Sequence, residues 1–115
     1  MTSKQEALIE FLNGKALEIR KKSLELISTG GTGHPGGSLS SAELFAALYW
    51  SVLRVDPQQP KWEGRDRFVM SKGHGCPPLY VALAMKGFYS WDELISTYSH
   101  LHSRFQAHPD MKKTP

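Results

Sequence analysis

Apolar positions recur with a helical period at the start of the chain. Leu8, Leu12, Ala16, Ile19 and Leu26 fall near one face, and Lys15, Arg20, Lys21 and Glu25 fall largely elsewhere. The pattern predicts a helix over residues 3–28, opened by a Ser3–Glu6 capping box and ended by Gly30 and Gly31. A second run, AELFAALYWSVL, is apolar almost all round. It predicts a helix beginning near Ser40, with Ser40 and Glu43 in capping-box spacing, enclosed by a larger body. Pro57 and Pro60 then force a turning loop. RFVM, residues 67–70, is short, apolar and partly β-branched, which predicts a buried strand. Pro77 and Pro78 open a further helix that Gly87 closes, and Ser90 with Glu93 opens another through WDELISTY. The tail SHLHSRFQAHPDMKKTP has no period and reads as loop.

The order is therefore helix, glycine loop, helix, strand, glycine loop, helix, helix, loop, with no repeat and no interdomain linker. That describes one unit over residues 1–115. A single strand among strongly apolar helices is not stable by itself. The expected class is α/β, with this chain as the helix-rich opening segment of a parallel-sheet domain whose sheet is incomplete here.

Composition removes several classes. A 40% hydrophobic and 22% charged chain is not disordered throughout. Net charge is +3, but lysine and arginine are dispersed, with short runs only at Arg20-Lys21-Lys22 and Lys112-Lys113. A nucleic-acid reader would concentrate them in a stripe, so no nucleic-acid partner is expected, and the mild positive charge is compatible with an anionic ligand such as a phosphate. The one cysteine, Cys76, excludes an internal disulfide and fits a reducing compartment; it reads as a small buried apolar residue. The N-terminus has no apolar signal region and no run reaches membrane-spanning length. A cytoplasmic location with no membrane contact is expected.

Two segments hold the candidate chemistry. Gly33-His34-Pro35-Gly36-Gly37 precedes a helix, and Ser71-Lys72-Gly73-His74-Gly75 joins the predicted strand to another. Glycines let backbone N–H groups approach a ligand, and a nearby imidazole adds a donor that titrates near neutral pH. Two such loops suit a diphosphate and an oxygen-rich substrate, although connecting loops with solvated histidines have the same composition. Neither segment is a Walker loop or a Gly-x-Gly-x-x-Gly turn. His100, His102 and His108, near Asp110, offer imidazoles for zinc, but no standard zinc spacing is present and no metal ligand is assigned.

STGGTGHPGGSLSSAELFAALYW, RDRFVMSKGHGCPPLYVALAMKGF and SRFQAHPDMKKTP, in that order, resemble the amino-terminal part of transketolase-type enzymes. The resemblance runs from the first helix to Pro115. It implies a thiamine diphosphate enzyme with Mg²⁺ that transfers a two-carbon ketol unit between sugar phosphates. By the same resemblance His34 lies near the thiazolium carbon and bonds the sugar, and His74, with Gly73, contacts the cofactor diphosphate. His108 matches a third active-site histidine, although Ala107 and Asp110 stand where the family has glycine and glutamate. The family's magnesium ligands, pyrimidine-binding domain and activating glutamate fall outside these 115 residues. The expectation is a truncated or split-subunit transketolase, inactive alone and completed by a missing C-terminal part or second subunit, with the complete enzyme a homo-oligomer. The alternative is a non-catalytic helical module acting only through a partner.

Overall fold

The computed structural model describes residues 2–31, 35–71, 73–100, 103–106, 109 and 114, with Pro35, Gly37 and His74 described by backbone alone. The first helix, α1 (Ser3–Gly30), starts one residue before the predicted box. The Thr2 hydroxyl accepts from the Gln5 N–H at 3.1 Å, and the Thr2 N–H donates to Gln5 Oε1 at 2.9 Å. Threonine and glutamine satisfy the same two orphan donors that serine and glutamate would. The helix closes at Gly31, which takes the left-handed conformation at φ 69° that a side chain would resist. Only its C-terminal two-thirds meets the core, through Ala16, Ile19, Ser23 and Leu26; Leu8, Ile9 and Phe11 stay exposed.

Half of the predicted glycine loop is helical. Residues Pro35–Leu39 form a short helix, α2, because proline at the first position presets φ and the Ser40 N–H closes the turn on the Gly36 carbonyl at 3.1 Å. Helix α3 (Ala42–Ala47) begins after Ser41, two residues later than predicted. The Ser40–Glu43 box is not formed, since Glu43 instead pairs with Arg20 of α1. The helix then widens into a π turn over Leu48–Val52, closed by the Leu53 N–H on the Leu48 carbonyl at 2.7 Å.

The expected strand at 67–70 is a correction. The segment is extended, and its side chains alternate, with Phe68 and Met70 packed on the core and Arg67 and Val69 outward. Phe68 stands edge-on to Phe45 at 5.3 Å, while Val69 is 88% exposed. No backbone hydrogen bond joins it to another described residue, so it has a strand's side-chain pattern without a ladder. Helix α4 (Pro77–Lys86) forms the centre of the fold and touches α1, α2, α3 and α5. Its buried run from Pro77 to Leu83 leaves no solvent face over two turns. Helix α5 (Trp91–Thr97) is capped as predicted, with the Ser90 hydroxyl accepting from the Glu93 N–H at 3.1 Å. No strand occurs among the described residues, so this is the helical layer of a fold whose sheet is not in them.

Candidate functional site

The two glycine–histidine segments are brought together. Helix α2, the helical half of the first, packs against the tight 3₁₀ turn Gly73–Gly75 of the second and against the start of α4. The turn is closed by the Cys76 N–H on the Gly73 carbonyl at 3.2 Å, and Gly75 and Cys76 are buried behind it. The Gly73–Gly75 turn therefore adjoins α2. His34 and Lys72 lie outside the described residues.

The tail reaches the same place. Phe105 is fully buried, 5.5 Å from the Tyr80 ring and 4.6 Å from that of Tyr89. Beside it, Arg104 forks onto both carboxylate oxygens of Glu93 at 3.0 and 2.8 Å. The next carbonyl, Gln106, accepts from the Tyr80 hydroxyl at 2.6 Å and from the Cys76 thiol at 3.7 Å. The tail before His108 is thus anchored to residues immediately following His74. His102, His108 and Asp110 lie outside the described residues, so the zinc alternative falls there with them. Sequence reading missed this anchor. Its signal was one aromatic and one arginine in a stretch without periodicity, too little for a pattern to register.

Burial pushes the Cys76 thiol up to about 12. A thiol held protonated is neither a nucleophile nor a metal ligand, so Cys76 is the packing residue its sequence context suggested. Burial likewise raises the Tyr98 phenol to about 12, with Cys76 adding to the shift. The Tyr98 ring lies against the end of α1, where a Cβ on Gly30 would come within 2.5 Å of it.

The donor set fits an anion. The described residues of these three segments (35–39, 73–76 and 103–106) include no carboxylate. They offer glycine amides and the Ser38 hydroxyl, which is 1% exposed and has no hydrogen-bond partner among the described residues. A buried hydroxyl without a partner costs about 1–3 kcal/mol, a deficit a bound acceptor removes. The residues present are consistent with a diphosphate group. An apolar cavity of about 150 Å³ lies elsewhere, behind Phe68 and between Tyr49, Leu83 and Phe88. It borders the unpaired 67–70 segment, not the glycine turns.

Residues 13–115 match the family described as transketolase, thiamine diphosphate binding domain. The chain belongs to the transketolase family. Among transketolases, it is 48% identical over 103 residues to the 6-deoxy-6-sulfo-D-fructose transketolase subunit of Clostridium sp. (strain MSTE9), covering 90% of this chain and 37% of that one. It is 40% identical over 104 residues to an apulose-4-phosphate transketolase subunit of Phocaeicola vulgatus, again covering 90% and 37%. The solved transketolase of Leishmania mexicana superposes with a TM-score of 0.84 at 36% identity, over 90% of this chain and 16% of that chain. The expected fold class holds: these residues form the helix-rich opening of the transketolase thiamine diphosphate-binding domain. The chain spans little more than a third of the length of these two bacterial relatives and about a sixth of the Leishmania enzyme. No helix among the described residues is long and apolar enough to cross a membrane.

Proposed function

We propose that these residues form the first part of the cofactor site of a thiamine diphosphate-dependent transketolase that moves a two-carbon ketol unit between sugar phosphates. The observation that supports it is the gathering of three segments at the start of α4: Pro35–Leu39, Gly73–Gly75 and the Gln106 carbonyl. They adjoin His34, contain His74 and precede His108.

In this reading His74 and the Gly73 amide donate hydrogen bonds to the diphosphate, and the buried Ser38 hydroxyl is a further donor. Donation to a charged acceptor is worth about 1.5–3 kcal/mol per bond. His34 donates to a sugar oxygen and accepts or returns a proton as that oxygen changes charge, a role suited to an imidazole near neutral pH. His108 does the same from the tail. When bound, thiamine diphosphate supplies the carbanion-stabilising chemistry, and the protein supplies position and electrostatics. The Mg²⁺ ligands belong to the remainder of the domain. That remainder is provided by further polypeptide or a second subunit, in a cytoplasmic homo-oligomer. Two of the relatives are named as subunits, which favours a divided enzyme.

Calorimetric titration with thiamine diphosphate and Mg²⁺, performed on the completed enzyme, tests the assignment. His74→Ala is expected to weaken binding by about 10- to 100-fold, the equivalent of one charge-assisted bond. His34→Ala and His108→Ala are expected to bind the cofactor normally and lose kcat/KM. Unchanged cofactor affinity in His74→Ala would overturn the role of this turn.

A further inference from the structure

At the opposite end of α4, about 15 Å along its ten residues, α1, α4 and α5 enclose a second groove. Its volume is about 210 Å³, and it is lined by Lys15, Glu18, Lys22, Ala84, Met85 and Trp91. The lysines are held by indoles. The Lys22 ammonium sits 4.4 Å from the centre of the Trp91 ring, and the Lys15 ammonium 5.4 Å from that of Trp50. Lys86 adds a third ammonium over the same Trp50 ring at 5.6 Å.

Two features of this arrangement point to an anion. Among the described residues, no carboxylate forms an ion pair with Lys15, Lys22 or Lys86. Finally, an ammonium resting on a ring keeps donors on its far side and has already given up part of its side-chain freedom. Less conformational entropy is then left to lose on binding.

The groove's size and its single acid narrow the ligand. Its volume lies below the roughly 300–1,000 Å³ of sites for drug-sized molecules, which suits a compact ligand. Glu18 is the one acceptor on the lining that carries charge, and it would accept from hydroxyl groups while the lysines take the phosphate. We infer that this groove is a second binding site, for a small hydroxyl-bearing phosphate monoester. It is separate from the glycine turns and does not depend on the function proposed for them.

Tryptophan fluorescence reads the groove directly. Trp91 lines it, Trp50 holds the Lys15 ammonium, and Trp62, the third tryptophan, is removed by Trp62→Phe. Titration of that variant with glycerol 3-phosphate, against sodium chloride at equal ionic strength, is expected to give a saturable change. Lys22→Ala and Lys15→Ala are each expected to weaken it at least tenfold. Glu18→Gln should erase the preference for glycerol 3-phosphate over inorganic phosphate. A response matched by sodium chloride, or by glycerol alone, overturns the site. So does a titration that is the same in both lysine variants as in their parent.

Discussion

Cys76 shows how a single residue's environment decides its chemistry. In sequence it follows Gly-His-Gly, a setting that invites a reactive reading. In the fold it is fully buried at the head of α4, with its thiol directed at the Gln106 carbonyl and its ionisation pushed up to about 12 from an ordinary 9.0. The folded state therefore holds the thiol proton more tightly than the unfolded chain does. Its contribution to stability is complete below the unfolded value and is lost as pH rises towards the folded one. We predict that unfolding free energy falls as pH rises above about 9, with Cys76 contributing up to about 1.4 kcal/mol per pH unit and the buried Tyr49, Tyr89 and Tyr98 adding to the slope towards pH 10. Cys76→Ser should flatten that slope, and denaturant melts at stepped pH would show it. Phe105 carries a larger share of stability. Truncation to alanine is expected to cost about 3–5 kcal/mol, as for other fully buried aromatics, and to free the tail from Tyr80 and Tyr89. Chemical denaturation together with limited proteolysis after Arg104 would report both effects.

The elements were legible where one force determined them. Ser90 before WDELISTY and Gly87 after the apolar run from Pro77 marked α5 and α4 because caps and glycine stops are local chemistry. Ser90→Ala is expected to lower stability by about 0.5–2 kcal/mol, measurable as a shifted urea midpoint. Less was legible where an element depends on distant residues. The Ser40–Glu43 box gave way to an ion pair with Arg20, twenty-three positions away, which no local pattern contains. RFVM was read as a buried strand from its short, apolar, partly β-branched run; its side chains alternate instead, and a ladder needs a neighbour that the described residues do not supply. The outer face of that segment should accordingly be indifferent here and sensitive in the complete domain. Val69→Lys is expected to change the stability of the 115-residue chain by no more than about 0.5 kcal/mol, since Val69 is 88% exposed. In a protein of the relatives' full length the same substitution should cut the yield of folded domain. Equal loss in both settings would mean that the segment is not an open sheet edge.

At the scale of the molecule, the described helices build a core around α4 and gather the segments next to His34 and His108 at its first turn, beside His74. The pairing of the two glycine–histidine segments was legible from their order and separation. Their physical contact was not, because it depends on α2 folding as a helix and seating on the Gly73–Gly75 turn. The tail anchor was illegible for the same kind of reason: Phe105 matters through what Tyr80 and Tyr89 enclose. What these residues build is one part of the domain, with an extended segment that pairs with no described residue and an apolar cavity beside that segment. The most direct test is ketol transfer between a ketose phosphate and an aldose phosphate, with thiamine diphosphate and Mg²⁺ supplied. It should be run on the 115-residue chain alone and again with the remainder of a transketolase provided. The expected result is no turnover from the chain alone, turnover on completion, and its loss with His74→Ala at cofactor concentrations that saturate the parent. Turnover by the 115 residues alone, or undiminished turnover with His74→Ala, would contradict a half-site that needs completion and a diphosphate-binding role for its turn.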